Sequence, residues 1–352
     1  AYGLLARHHR RAFPKVPVVA ITGSAGKTTT KEMMASVLKT KYRVLYNKGT
    51  ENNHIGVPST ILKLTKRHEV AIIEMGTNHS GEIGWLGTVV EPTIAVFTNV
   101  GPSHLAGLGS PEGVFKEKAT LIDHTASNGV IIVNADDPFW TQILKRRLSQ
   151  TVVSYGIDED SEIRARKIRG SARGITFTAI GKEFLLKTPV WGNVSNALAA
   201  IACGRVLKVP TESIRRGIAG FKAPKGRQVF HRVGGVTVID DTYNANPLSF
   251  KNAVRTLVTM KGRGRTILIA ADMLELGDNS EALHREVGAF AAAQGVDVLL
   301  SCGKWARFVA EEAKASLTAM NVGTYDARDG VLEALRDKIK PCAGDVVLVK
   351  GS

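Results

Sequence analysis

Residues 18–38 read VVAITGSAGKTTTKEMMASVL: an apolar run, a glycine turn, and a segment with Met33, Met34, Val37 and Leu38 at helical spacing. A buried strand that passes through glycines directly into a helix is a building unit of a parallel α/β sheet. The turn is clipped. In the common phosphate loop, G-x-x-x-x-G-K-[ST], counting back from Gly26 would place the first glycine at position 21, where Ile21 stands. What remains is Gly23-Ser24-Ala25-Gly26-Lys27-Thr28, followed by Thr29. At the positive end of the helix, the backbone N–H groups of Gly23 through Lys27 are expected to converge on phosphate oxygens. Lys27 would reach the β and γ oxygens, and Thr28 would set its hydroxyl on Mg2+. The expected ligand is ATP.

The alternation continues along the chain. Strands are expected at Arg43–Tyr46, Val70–Glu74, Ile94–Thr98 and Gly129–Val133, with helices at His54–Leu64, Gly81–Val90 and Pro111–His124 between them. Residues 1–13 read as a short basic helix that Pro14 and Pro17 end. Residues 151–190 are short, alternating and turn-rich, which predicts a small antiparallel excursion. Asn193–Leu207 is alanine-rich and helical. A boundary is expected within Gly226–Gly235, after which strands at Val236–Asp240, Thr266–Ala270, Asp297–Ser301 and Asp345–Val349 alternate with helices at Pro247–Met260, Ser280–Gln294 and Lys304–Ala315. The fold class is α/β: a central P-loop ATPase-type parallel-sheet domain followed by a smaller Rossmann-like α/β domain. The expected division is a linker helix at 1–15, a central nucleotide-binding domain at 16–230 and a C-terminal domain at 231–352.

Composition narrows the partners. A chain of 352 residues with 44% hydrophobic and 22% charged residues has enough apolar content for two cores. No run approaches the roughly 20 apolar residues of a membrane helix. With no signal-peptide pattern, a cytoplasmic protein is expected, and the start at Ala1 suits a fragment. Cys203, Cys302 and Cys342 form no C-x-x-C pair, so neither a disulfide framework nor a zinc site is indicated. The net charge is +15, and residues 1–50 hold ten Lys/Arg against one acid. That field suits anionic small molecules. Nucleic acid is not expected, because aromatic residues are scarce and not interleaved with the basic ones.

Several further residues stand where chemistry could occur. Glu74 ends a strand, well placed for Mg2+ beside the glycine loop, though a strand-end carboxylate in water would look the same. His104 follows a strand among glycines and reads equally as a structural histidine or as a ligand for a second cation. Lys116 and Lys118 share a helix. A protonated lysine cannot bind Mg2+, whereas a lysine carbamate could, and nothing in the residues alone chooses between that and a solvated amine. In VIDDTYNANPLS, Asp240 and Asp241 could accept from ribose hydroxyls, while Asn244 and Asn246 suit a turn or a polar ligand. Pro247 opens a helix. Arg227 could meet a triphosphate.

The stretches ITGSAGKTTTKEM, NKGTENNHIGVPSTIL, EMGTNHSGEI, TNVGPSHLAGLGSPEGVFKEKA, NVSNALAA, DDTYNANPLS and ADMLELG…LHREVG follow one another in order over nearly the whole chain. Together they resemble the Mur ligase family, which is known for the clipped loop. The resemblance implies an ATP-dependent amide ligase of cell-wall precursor synthesis that works through an acyl phosphate. Its substrates would be small molecules, a nucleotide-sugar peptide and a dipeptide, and a monomer is expected. It implies nucleotide contacts from Gly23, Ser24, Ala25, Gly26, Lys27, Thr28 and Thr29. It assigns Thr28 and Glu74 to one Mg2+, His104 to a second, and Lys118, as its carbamate, to that neighbourhood. Lys27, Glu74, His104 and Lys118 would carry the catalysis. Asn193 and Asn196 match adenine-side positions, Arg227 a phosphate contact, Asp241 a ribose contact, and Asn244 and Asn246 the meeting point of nucleotide and dipeptide. Gly192 stands where the family commonly has histidine. The family's N-terminal UDP-sugar-binding domain and extreme C terminus are expected to lie outside this sequence. Two other readings remain: a relative that joins a different acid and amine, and a non-catalytic basic ATP-binding module.

Overall fold

The computed structural model describes residues 1–224, 227–316 and 319–352, so the first residue of the expected boundary, Gly226, lies outside the described residues. The chain separates into two compact units. The first comprises Ala1–Arg169, Gly174–Lys187 and Gly192–Lys222; the second comprises Gly170–Arg173, Thr188–Trp191 and Ala223–Ser352.

The first unit opens with helix α1 (Tyr2–Arg11), then β1 (Val18–Thr22), α2 (Lys27–Leu38), β2 (Val44–Tyr46), α3 (Gly56–Ile61), β3 (Val70–Glu74) and α4 (Glu82–Val90). It continues with β4 (Ile94–Phe97), α5 (Leu105–Leu108), α6 (Pro111–Asp123), β5 (Val130–Asn134), α7 (Pro138–Leu144), β6 (Thr151–Gly156) and β7 (Ile163–Arg164). Among the described residues these strands form one seven-stranded sheet in the order β2-β3-β1-β4-β5-β6-β7. β1, β3 and β4 are buried along their whole length. Such continuous apolar runs suit central parallel strands covered on both faces. β1 pairs in parallel with β3 on one side and β4 on the other. From β1 the chain passes to β2 and β3 on one side and then to β4 on the other, so the carboxyl end of β1 borders the crevice where ligands bind such sheets. Register sets Ile21 opposite Glu74 and Thr22 opposite Phe97, so the glycine loop and Glu74 emerge at one level.

The antiparallel excursion needs correcting. β6 pairs in parallel with β5, and β7 in parallel with β6, so residues 151–164 extend the main sheet. β6 lies toward the sheet margin, half-buried over much of its length, which produces the alternation that mimics an antiparallel strand. The antiparallel part is smaller: β8 (Arg166–Ser171), β9 (Gly174–Ala179) and β10 (Lys182–Leu186) form a three-stranded sheet in which β9 and β10 pair antiparallel. α8 (Gly192–Val206) and α9 (Thr211–Ala219) then pack against α2.

The second unit holds β11 (Val229–Val233), β12 (Val236–Asp241), α10 (Pro247–Thr259), β13 (Thr266–Ala271), α11 (Ser280–Ala293), β14 (Val298–Cys302), α12 (Ala306–Ala315), β15 (Asn321–Tyr325), α13 (Arg328–Ala334) and β16 (Val346–Lys350). Its sheet runs β11-β12-β16-β13-β14-β15, antiparallel between β11 and β12 and parallel elsewhere. Apolar clusters cover both faces, one around Phe250, Leu268, Leu299 and Leu348, the other around Ile267, Val298, Val331 and Val347.

Candidate active site

The glycine loop needs its glycines for two reasons. Gly23 has φ +151°, and a Cβ there would lie 1.9 Å from Thr98 Oγ1. Gly26, with φ +81°, precedes α2, and a Cβ there would lie 2.6 Å from Asn196 Oδ1. Both positions combine left-handed backbone with a close neighbour, which only glycine accommodates.

The loop is held from the side by the segment that leaves β4. Ser24 N donates to Asn99 O at 2.8 Å, and Ala25 N donates to Asn99 Oδ1 at 2.7 Å. Thr98 Oγ1 donates to Ala25 O at 2.7 Å. Ser24 Oγ accepts from Gly101 N at 3.0 Å and from Ser103 Oγ at 2.9 Å. The backbone N–H groups of Ser24 and Ala25 are thus turned to Asn99. The remaining donors lie at the start of α2, whose first-turn amides have no partner within the helix. Lys27 Nζ donates to Gly23 O at 2.7 Å, curling over the loop.

Glu74 is almost fully buried, at 1% exposure. Its backbone N–H donates to Asn47 Oδ1 at 2.9 Å, and its carbonyl accepts from Asn47 Nδ2 at 3.0 Å. Its Oε1 accepts from Thr28 Oγ1 at 3.0 Å and from Asn52 Nδ2 at 2.9 Å. Oε2 accepts no hydrogen bond among the described residues, although Lys31 Nζ lies 3.4 Å away. An orphaned carboxylate oxygen beside a threonine hydroxyl at a phosphate loop fits a hard, oxygen-seeking cation. Among the described residues no three His, Cys, Asp or Glu gather into a complete shell. One carboxylate and one hydroxyl suit Mg2+, which keeps several waters and takes its other ligands from phosphates.

His104 caps α5 in left-handed backbone, φ 54°. Lys118, on α6, is 1% exposed. Burial pushes its amine well below the usual lysine range, the positive charge of Lys27 pushes it further, and Glu117 opposes the shift. Glu117 itself holds the loop before α4, accepting from Gly81 N and Ile83 N at 2.7 Å each. Asn196 Oδ1 accepts from Thr30 Oγ1 at 3.1 Å, and Asn196 Nδ2 donates to Asn193 Oδ1 at 3.1 Å. The asparagine pair therefore abuts the loop-bearing helix. Thr29 lies in the first turn of α2.

In the second unit, Arg227 stacks on the Tyr243 ring at 4.2 Å. Asp241 Oδ2 meets Lys350 Nζ at 2.8 Å, and Lys350 Nζ also donates to Asn244 O at 3.1 Å. Asn244 Oδ1 accepts from Ala245 N and from Ser352 Oγ. Asn246 caps α10 reciprocally with Ser249.

Comparison with known proteins now decides the family. The Mur ligase middle domain matches residues 21–204, and the Mur ligase, glutamate ligase domain matches residues 226–352. The chain belongs to the Mur ligase family. Among its relatives, the UDP-N-acetylmuramoyl-tripeptide–D-alanyl-D-alanine ligase of Bacillus subtilis is 36% identical over 338 residues, spanning 95% of this chain and 73% of that protein. The Escherichia coli enzyme of the same name is 37% identical over 359 residues, spanning 100% and 77%. Among solved structures, a MurF crystal structure from Acinetobacter baumannii overlays with a TM-score of 0.93 at 32% identity, covering all of this chain and 77% of that one. MurF from Thermotoga maritima in complex with ADP gives 0.87 at 27% identity, covering 100% and 79%.

Sequence reasoning missed residues that hold the candidate site: Asn47 and Asn52 bonded to Glu74, Asn99 on the loop, Lys31 beside Glu74, and Lys350 paired with Asp241. Lys31 alone left a local signal, three positions after Thr28 on the same helical face. The others depend on contacts between distant segments.

Proposed function

We infer that this chain joins D-alanyl-D-alanine to UDP-N-acetylmuramoyl-tripeptide with hydrolysis of ATP to ADP and phosphate, the activity for which its B. subtilis and E. coli relatives are named. The supporting observation is a clipped phosphate loop whose Thr28 touches a buried strand-end glutamate with one unbonded oxygen. A carboxylate oxygen of the tripeptide attacks the γ-phosphorus, ADP leaves, and an acyl phosphate forms. The dipeptide amine then attacks the acyl carbon, phosphate departs, and the amine loses a proton as the amide forms. Charge moves between anionic oxygens throughout, so preorganised cations carry most of the catalysis. Lys27 and the first-turn amides of α2 orient the phosphates. Thr28 and Glu74 would hold Mg2+, which when bound neutralises the phosphate charge.

His104 is the proposed partner of a second cation. Lys118 suits carbamate formation on two grounds. A buried amine pushed below its usual range carries the lone pair that CO2 needs, and the positive Lys27 that disfavours an ammonium there favours an anion. Arg227, Asp241, Asn244 and Asn246 are the proposed ligand contacts of the second unit, and Asn193 and Asn196 those near adenine. A cytoplasmic location belongs to the same reading. The test is ADP release by the full-length protein, expected only when nucleotide-sugar tripeptide and D-alanyl-D-alanine are both supplied. No release with both present rejects this function.

A further inference from the structure

Lys31 is fully buried, on α2 one turn beyond Thr28. Its Nζ donates to Gly49 O at 2.8 Å and lies 3.4 Å from both Glu32 Oε1 and Glu74 Oε2. The Glu74 oxygen it approaches accepts no hydrogen bond, so the lysine balances that charge without occupying the oxygen. Unit charges this close, away from water, interact far more strongly than an exposed pair. A divalent ion arriving alone would meet a carboxylate already neutralised, with a like charge beside it. An ion arriving with triphosphate brings its own anions and meets no such barrier.

We propose that Lys31 is a resident countercharge to Glu74 that makes cation binding conditional on nucleotide: the site refuses free divalent metal and accepts it with phosphate. This rests on the reading of Glu74 as a cation ligand. Lys31 is thus a positioning residue that acts through Glu74.

The probe is Mn2+, titrated against the full-length protein and followed by the EPR signal of free ion, with and without a non-hydrolysable ATP analogue. The wild type and Lys31→Arg should bind Mn2+ tightly only with the analogue. Lys31→Met should bind Mn2+ alone about tenfold more tightly than the wild type, the order expected when a neighbouring like charge is removed. Adding Glu74→Gln to Lys31→Met should abolish that gain. If Lys31→Met shows no gain while Glu74→Gln weakens analogue-dependent binding, the countercharge role is overturned and the Glu74 reading stands. If Glu74→Gln leaves analogue-dependent binding unchanged, the Glu74 reading itself falls. Should Lys31→Met be unfolded without metal, Mn2+ should restore its near-UV circular dichroism; a chain that stays unfolded at every Mn2+ concentration also overturns the proposal.

Discussion

Each unit carries an acid at the carboxyl end of a parallel strand with a buried lysine beside it, and the two pairs are built differently. Asp241 and Lys350 lie on adjacent strands in direct register, meet at 2.8 Å, and the lysine has a second acceptor in Asn244 O. That pair is closed. Glu74 and Lys31 stand 3.4 Å apart on a strand and a helix, and one glutamate oxygen accepts no hydrogen bond among the described residues. That pair is open. A closed buried pair fixes a loop, whereas an open one retains the capacity to take up another charge. The first pair is satisfied within its own unit, whereas the second leaves one carboxylate oxygen without a hydrogen bond among the described residues.

The distinction can be broken by mutation. Lys350→Met strands a buried carboxylate and should destabilise the second unit by about 3–5 kcal/mol, read from urea unfolding. Glu74→Gln should act mainly on turnover, lowering it roughly 10²–10³-fold, as loss of one transition-state charge contact does. Its stability cost should be smaller than that of Lys350→Met, because Lys31 retains Glu32 and Gly49 O. Equal destabilisation by the two substitutions would erase the contrast. Lys118→Ala should cost on the order of 10- to 100-fold in activity that bicarbonate does not restore, while unchanged activity discards the carbamate.

The smallest effect sharpens the picture of the second unit. Burial lowers the His284 pKa; its Nε2 accepts from Met273 N and its Nδ1 faces Ser280 O. The unfolded chain therefore takes up this proton first, and stability is lost as pH falls below about 6.5, by at most about 1.4 kcal/mol per pH unit. In His284→Gln the difference from wild type should shrink as pH falls through that range, measured by thermal unfolding at several pH values. A constant difference would mean that His284 does not titrate between the two states.

Most of the first sheet was legible because its central strands are continuous apolar runs, and the strand–glycine–helix unit is local in sequence. Marginal strands were not. β15 reads NVGTY, with little buried surface to give it a period, and β7 is two residues long. Thr28 and Glu74 could be paired on chemistry alone, because strand ends and phosphate loops converge at one sheet edge. Lys118 could not, since KEK on a helix carries no sign that its second lysine is buried. Pro247 signalled the helix start, and the Asn246 side chain caps α10 there.

The clasp of Asn99 on the nucleotide loop gives an inhibitor designer a handle. A compound whose polar arm displaces the Asn99 amide from the Ala25 N–H would compete for a contact that this loop makes with its own protein. Selectivity could then be sought in the latch itself.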